Sequence, residues 1–263
     1  MLRASFDQDA ELYDRVRPRY PPALFDELVG LAGLPAAGRV LEIGCGTGQA
    51  TLPLARRGYQ VRCVELGANM ARVARRNLRD CPDASVEVSA FEEWELSGGP
   101  YDLVLAATCW HWIDPDVRFR KAAAALRPGG ALALVGTAHV SDGRGDAFFA
   151  RAQEVYVRCE PETAGQWTGL PAATAGGPPE VDRELFGPPA FRRFPWSASY
   201  DARGYVDVLN TYSGHRTLPD GQRECLYGGI AGLIDAEFGG RIEKRYLFTL
   251  AVARLLPVAQ PRL

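Results

Sequence analysis

The chain has 263 residues, 47% hydrophobic and 24% charged, which is enough to bury a full core and to build one α/β domain with decorations. Its formal net charge of -2 excludes the strongly basic balance of a nucleic-acid binder or a polybasic membrane-surface protein. Small-molecule partners are therefore expected, with no nucleic acid and no membrane, for a monomer or homodimer.

Taken in chain order, the opening MLRASFDQDAELYDR has no apolar signal region, and no later run is long enough to span a bilayer. A cytoplasmic enzyme is expected. Residues 1–38 read as an N-terminal helical cap. Strand candidates follow in RVLEI (39–43), YQVRCVEL (59–66), ASVEVS (84–89), YDLVLAAT (101–108) and ALALVGT (131–137). Between them, 49–57, 67–79 and 114–126 carry apolar residues at helical spacing, as in Met70, Val73, Ala74 and Leu78. Strand alternating with helix predicts a parallel sheet wound on both faces over a 39–137 core. LRPGG (126–130) reads as a helix end turning into the fifth strand.

Beyond Thr137 the rhythm weakens, and 138–189 reads as a helical and loop insertion, a lid, with 171–180 its most loop-like stretch. Residues 190–263 bring two more strand candidates, 190–200 and 241–256, predicted to close the sheet as an antiparallel pair. A helix between them has Leu226, Ile230, Leu233 and Ile234 on one face. The expected fold is a doubly wound, Rossmann-like, seven-stranded sheet, mostly parallel with an antiparallel closing strand. Cysteines at 45, 63, 81, 109, 159 and 225 form no C-x-x-C pair and sit mostly in apolar runs, which predicts reduced core thiols, with neither a metal site nor a disulfide framework.

VLEIGCGTGQAT (40–51) drives a strand into glycines 44, 46 and 48, spaced two apart. A glycine-rich turn between strand and helix lets backbone approach a ligand closely at the carboxyl end of the strands. A dinucleotide site prefers G-x-G-x-x-G with a phosphate on the helix N-terminus, whereas this loop reads G-x-G-x-G behind Glu42. Glu42 would repel a pyrophosphate and attract an ammonium group. Glu65, ending the second strand, suits a ribose diol. Together the two acids describe a nucleoside joined to an amino acid.

With these residues in view, the chain resembles the class I S-adenosylmethionine-dependent methyltransferases. LEIGCGTGQAT matches that family's first motif, VELGANM its second, and YDLVLAATCWHWIDPD with ALRPGGALALV its fourth and fifth, across 39–137. FDQDAELYDRVRPRYPPALFDEL and LNTYSGHRTL are similar to the branch containing the trans-aconitate methyltransferases. The resemblance implies S-adenosyl-L-methionine as cofactor, with Glu42 toward the methionine ammonium and Gly44, Gly46, Gly48 and Gln49 walling methionine and ribose. It also implies Glu65 on the ribose diol and Leu66 and Met70 over the adenine, these last two reading equally as core contacts. The third motif departs from the family, since Ala90 and Phe91 stand where an acid near the adenine is expected and Glu92 is the nearest one. Ala107, at the end of the fourth strand, lies either beside the methionine or in the strand core.

Methyl transfer from a sulfonium chiefly requires alignment and desolvation, and a base is needed only for a protonated acceptor such as a hydroxyl. His111, between Trp110 and Trp112, is either that base or a residue holding the next loop. Tyr13 and Tyr20 either close over the site or pack their helices. Trp110, Thr211 and Arg216 are the further acceptor-side candidates, and Arg192, Arg193 and His215 offer additional cations or donors near them. The sequence reading is of a small-molecule methyltransferase acting at a carboxylate or hydroxyl oxygen. Its alternatives are a protein that binds the sulfonium cofactor without methylating and a nicotinamide-dependent oxidoreductase.

Overall fold

The computed structural model describes residues 7–141, 146–174 and 176–257. Two helices lead in. The first, α1 (Ala10–Val16), is capped by Asp9, whose side chain accepts the Leu12 N–H at 3.0 Å. The second, α2 (Pro22–Ala32), starts on a proline and ends at Gly33, which takes the left-handed conformation that a helix stop favours.

Alternating strands and helices then follow: β1 (Arg39–Ile43), α3 (Thr51–Ala55), β2 (Gln60–Glu65), α4 (Ala68–Asn77), β3 (Ala84–Val88), β4 (Tyr101–Ala107), α5 (Pro115–Ala125) and β5 (Leu126–His139). Helix α5 is opened by Asp114, whose carboxylate accepts the Asp116 N–H, and by Pro115. The rest of the chain supplies α6 (Asp146–Cys159), β6 (Ala190–Asp201), α7 (Ala202–Leu209), α8 (Ser213–Arg216), α9 (Asp220–Glu237) and β7 (Arg241–Arg254).

The seven strands are ordered β3-β2-β1-β4-β5-β7-β6. The β1–β2, β1–β4, β2–β3 and β4–β5 pairs are parallel, with Ile43 opposite both Val64 and Ala106. Strand β7 runs the other way: Leu255 N–H donates to Gly130 O, and six residues along, in opposite senses on the two strands, Thr249 faces Gly136. The expected mostly parallel sheet with antiparallel closure is thus observed. Strands β1 and β4 are buried almost throughout, as sheets covered on both faces require. The order reverses between β1 and β4, the topological switch point at which open α/β sheets bind ligands.

The chain divides into two compact units. One comprises residues 19–137, 177–194 and 248–263, with a core that includes Leu41, Ile43, Val64, Phe91, Val104, Leu132 and Phe186. The other comprises 1–18, 138–176 and 195–247, with Phe148, Phe149, Val155, Tyr205, Leu226, Ile230 and Ile234 at its centre.

Three expectations change. Strand β5 begins at Leu126 rather than 131, because the chain leaves α5 directly into extended backbone, and the pairing with β4 shifts register between Tyr101 and Leu103. Helix α3 covers only 51–55, since the glycine loop occupies the residues before it. The cysteines are not all reduced: Cys159 and Cys225 form a disulfide joining α6 to α9, while Cys45, Cys63, Cys81 and Cys109 are free. The weakly periodic stretch after 138 holds the 14-residue α6, whose Phe148, Phe149, Ala152, Val155 and Cys159 are buried at helical spacing.

Candidate active site

At the carboxyl end of β1 the chain turns through Gly44, Gly46 and Gly48, all with φ between +58° and +85°. A side chain at Gly44 would lie 2.9 Å from Cys109 Sγ and Cβ, so the loop sits directly on the residue that follows Thr108. Gly46 differs: a Cβ there would meet nothing within 4 Å, so the loop is open on that side. Asn77, at the end of α4, fixes the loop from below by donating to Thr47 O at 2.9 Å.

Two acids flank this opening. Glu65, 8% exposed, accepts the Gly46 N–H through Oε2 and the Gly67 N–H through Oε1, both at 2.8 Å. Glu42 is 1% exposed and accepts the Thr51 hydroxyl at 2.7 Å. Burial pushes its carboxyl up to about 7; the Thr51 hydrogen bond opposes the shift, and the charge of Glu65 adds to it.

Two buried polar atoms of the same loop, Thr47 Oγ1 and Gln49 Nε2, have no hydrogen-bond partner among the described residues. At the end of β4, Ala107 is buried and Thr108 adopts φ +60°, an uncommon conformation for a β-branched residue, with its hydroxyl donating to Ala107 O. Outliers of this kind concentrate at functional sites.

The comparisons agree with this geometry: residues 40–130 match the family model for a methyltransferase domain. Over that stretch the chain is similar to the methyltransferase-domain family. The chain is 41% identical over 135 residues to an uncharacterised methyltransferase from Mycobacterium tuberculosis, covering 51% of this chain and 52% of that one. It is 34% identical over 130 residues to a trans-aconitate 2-methyltransferase from Variovorax paradoxus, covering 49% of each. The chain thus spans about half the length of the curated relatives it matches. A solved structure from Anaeromyxobacter dehalogenans, provisionally called a type II methyltransferase, is 24% identical, covers 92% of this chain and 99% of its own, and superposes with a TM-score of 0.59, which shows the fold.

The matched stretch brings Glu42, Gly44, Gly46, Gly48, Gln49, Glu65 and Ala107 to the ends of the neighbouring strands β1, β2 and β4. Met70 is buried in α4, and Leu66 is 39% exposed at the end of β2. Phe91 is buried in the core with the Lys121 ammonium 5.4 Å from its ring. Glu92 accepts the Asp114 N–H at 3.2 Å, which ties it to the start of α5. His111 lies in a single 3-10 turn, Trp110–Trp112, with its ring 4.8 Å from that of Trp112. Burial and the Arg118 charge hold it below the ordinary histidine value, which favours the neutral ring. Trp110 packs on Phe119 beneath Arg118, and its buried Nε1 has no partner. Tyr20 packs on Phe25 and Phe248 and reaches Thr108 Oγ1 at 3.5 Å.

Tyr13, Thr211 and Arg216 belong to the other unit. Arg17 reaches Thr211 through Nε to its hydroxyl and Nη2 to its carbonyl, and lies over the rings of Tyr13 and Tyr212. Arg216 donates to Gln8 Oε1 and Asn210 O, so its guanidinium is engaged within the unit. Arg192, of the unit that holds the matched stretch, pairs with Glu27 at 3.0 Å. Among the described residues no group of three or more His, Cys, Asp or Glu side chains is placed to hold a metal ion, and no helix is long and apolar enough to cross a membrane.

Sequence reasoning passed over Arg17 and Lys244. Lys244 had a signal: in RIEKRY the buried residues are Ile242, Lys244 and Tyr246, the inward phase of a strand.

Proposed function

We propose that the chain is an S-adenosyl-L-methionine-dependent methyltransferase that acts on a small molecule at a carboxylate or hydroxyl oxygen. The observation that carries this reading is the opening at Gly46, walled by backbone, flanked by Glu65 and underlain by Glu42, with unpartnered Thr47 Oγ1 and Gln49 Nε2 in the same loop. A cradle without side chains, two acids and two unsatisfied polar atoms suit a cationic amino acid joined to a nucleoside. Glu65 would hold the ribose diol, Gln49 and the glycine backbone the methionine and ribose, Leu66 and Met70 the adenine edge, and Glu42 would favour the ammonium through its field. The bound cofactor supplies a methyl group already activated by a positive sulfur. The protein's share is to orient the acceptor, exclude water and, for a hydroxyl acceptor, take a proton on the neutral ring of His111.

The oxygen acceptor is supported by likeness to a protein named for trans-aconitate, a polycarboxylate. Titration calorimetry with S-adenosylmethionine, S-adenosylhomocysteine and NAD, followed by mass analysis of products from a panel of small acids and phenols, tests the reading. Binding of NAD in place of the sulfonium compounds overturns it. Cofactor binding with no methylated product from any acceptor removes the transferase step.

A further inference from the structure

Lys244 lies on β7 and is only 4% exposed. An ammonium has three donors and no acceptor, and burying it without a counter-charge is costly. Among the described residues its hydrogen bond goes to the Tyr212 hydroxyl at 3.1 Å, and the rings of Tyr205, Tyr212 and Tyr246 stand 5.2–5.5 Å from Nζ. No carboxylate pairs with it among the described residues. A second cation shares the same ring, since the Arg17 guanidinium lies 4.5 Å from the Tyr212 centroid and its two hydrogen bonds go to the neutral Thr211.

Among the described residues the surroundings hold no carboxylate bonded to either cation, and Glu160 acts on Tyr156 by its charge. His139 Nε2 and His215 Nδ1 are buried without partners, while His215 Nε2 meets the Tyr156 hydroxyl at 2.9 Å. Burial and the Lys244 charge push His139 down to about 3 and His215 down to about 4, so both are neutral. Tyr200 and Tyr246 join their hydroxyls at 3.0 Å. Burial raises the Tyr212 phenol, but the Lys244 and Arg17 charges outweigh it and hold the group below its ordinary value. All of these residues belong to one compact unit. The result, among the described residues, is two cations and a ring of hydroxyls with no carboxylate hydrogen-bonded to either cation.

We propose that Lys244 and Arg17, with the Tyr212 ring they share, form a binding site for the carboxylate of a small organic acid. The assignment rests on the buried charges of this unit and stands apart from the methyltransferase reading above. A carboxylate there accepts from the Lys244 ammonium and the unused guanidinium donors of Arg17, and the Tyr212 hydroxyl turns to donate to it. The neighbouring tyrosines offer apolar ring faces and hydroxyls, which suits a small organic acid better than inorganic phosphate.

The test titrates the full-length protein with trans-aconitate, succinate and benzoate, and with their methyl esters as neutral controls. Calorimetry reads binding, and absorbance at the phenolate band reads the state of Tyr212. The expected result is binding of at least one acid and of none of the esters. Lys244→Met should weaken that binding about tenfold or more, the loss of a charge-assisted hydrogen bond, while Lys244→Arg restores most of it. S-Adenosylhomocysteine titrated in parallel reports on the cofactor loop separately, so its failure removes the methyltransferase reading and leaves the carboxylate result standing. Arg17→Met and the acid-against-ester comparison keep the proposal falsifiable if Lys244→Met does not fold. Equal binding of acids and esters, or no acid bound, overturns the site. So does a phenolate band at neutral pH in the ligand-free protein that is lost in Tyr212→Phe, because the counter-charge is then Tyr212 itself.

Discussion

The Thr51 hydroxyl donates to the Glu42 carboxylate at 2.7 Å, joining the first residue of α3 to an acid inside β1. This contact keeps a buried acid from rising further, because it favours the charged form against desolvation. With a carboxyl near 7, a bound ammonium favours ionisation, so cofactor binding near neutral pH should release a fraction of a proton. Calorimetry in two buffers of different ionisation enthalpy measures it, and Glu42→Gln should abolish it. A buffer-independent enthalpy in the unmodified protein counts against Glu42 as the field behind the ligand.

The same group sets a sign for stability. Its folded value, about 7, lies above the ordinary carboxyl value of 4.5, so between these pH values the folded state binds the extra proton. Its contribution is therefore fully favourable below about pH 4.5 and is lost as pH rises through 7, by about 3 kcal/mol in all. Denaturant unfolding of the Glu42→Gln protein, compared with the parent from pH 5 to 8, should show the gap widening in favour of the variant as pH rises.

Glu65→Ala should weaken cofactor binding by about 1–3 kcal/mol, the cost of a lost charged acceptor. The structure adds a second consequence, because the same carboxylate holds the Gly46 and Gly67 N–H groups. Hydrogen exchange at those two amides should therefore accelerate in the variant. Unchanged affinity in a folded Glu65→Ala protein would remove the residue from the site.

The glycines should separate by role. Gly44→Ala meets Cys109 at 2.9 Å and should destabilise the fold by about 2–4 kcal/mol, combining overlap with the left-handed backbone. Gly46→Val projects into open space, so it should leave circular dichroism near normal, lower stability only by the backbone strain, and abolish cofactor binding. A Gly46→Val protein that binds cofactor normally shows that the opening is not the cofactor wall.

The disulfide should be visible in solution. It closes a span of 66 residues, for which chain entropy gives about 4 kcal/mol. Reduction should lower the midpoint of denaturant unfolding, and Cys159→Ser with Cys225→Ser should reproduce the shift without reductant. Identical unfolding with and without reductant would mean the thiols are not joined.

What was readable from the chain alone follows the locality of each signal. Strands β1 and β4 announce themselves because burial on both faces makes them continuous apolar runs, and the glycine loop because a strand-turn-helix pattern lies within a dozen residues. The disulfide had no such signal: its cysteines are 66 apart, and each sits in a helix that reads as ordinary core. Helix α6 was blurred because its neighbours after 159 are rich in glycine and proline. Lys244 lies between Glu243 and Arg245, so its sequence surroundings read as solvated, and only the two-residue alternation with Ile242 and Tyr246 turns it inward. Arg216, singled out for its place after NTYSG, spends its donors on Gln8 and Asn210, a partnership across 208 positions that no local pattern carries.

The contact between α6 and α9 has a mechanical meaning. A Cβ on Gly229 would come within 2.5 Å of Val155, and the disulfide joins Cys225 and Cys159, one turn away on each helix. Steric fit fixes the spacing, and the covalent bond forbids sliding. The two helices therefore move as a single beam. Any yielding of this unit around a guest must come from its slender parts, the four-residue α8 and the turns beside it, where His215 and Tyr212 are mounted.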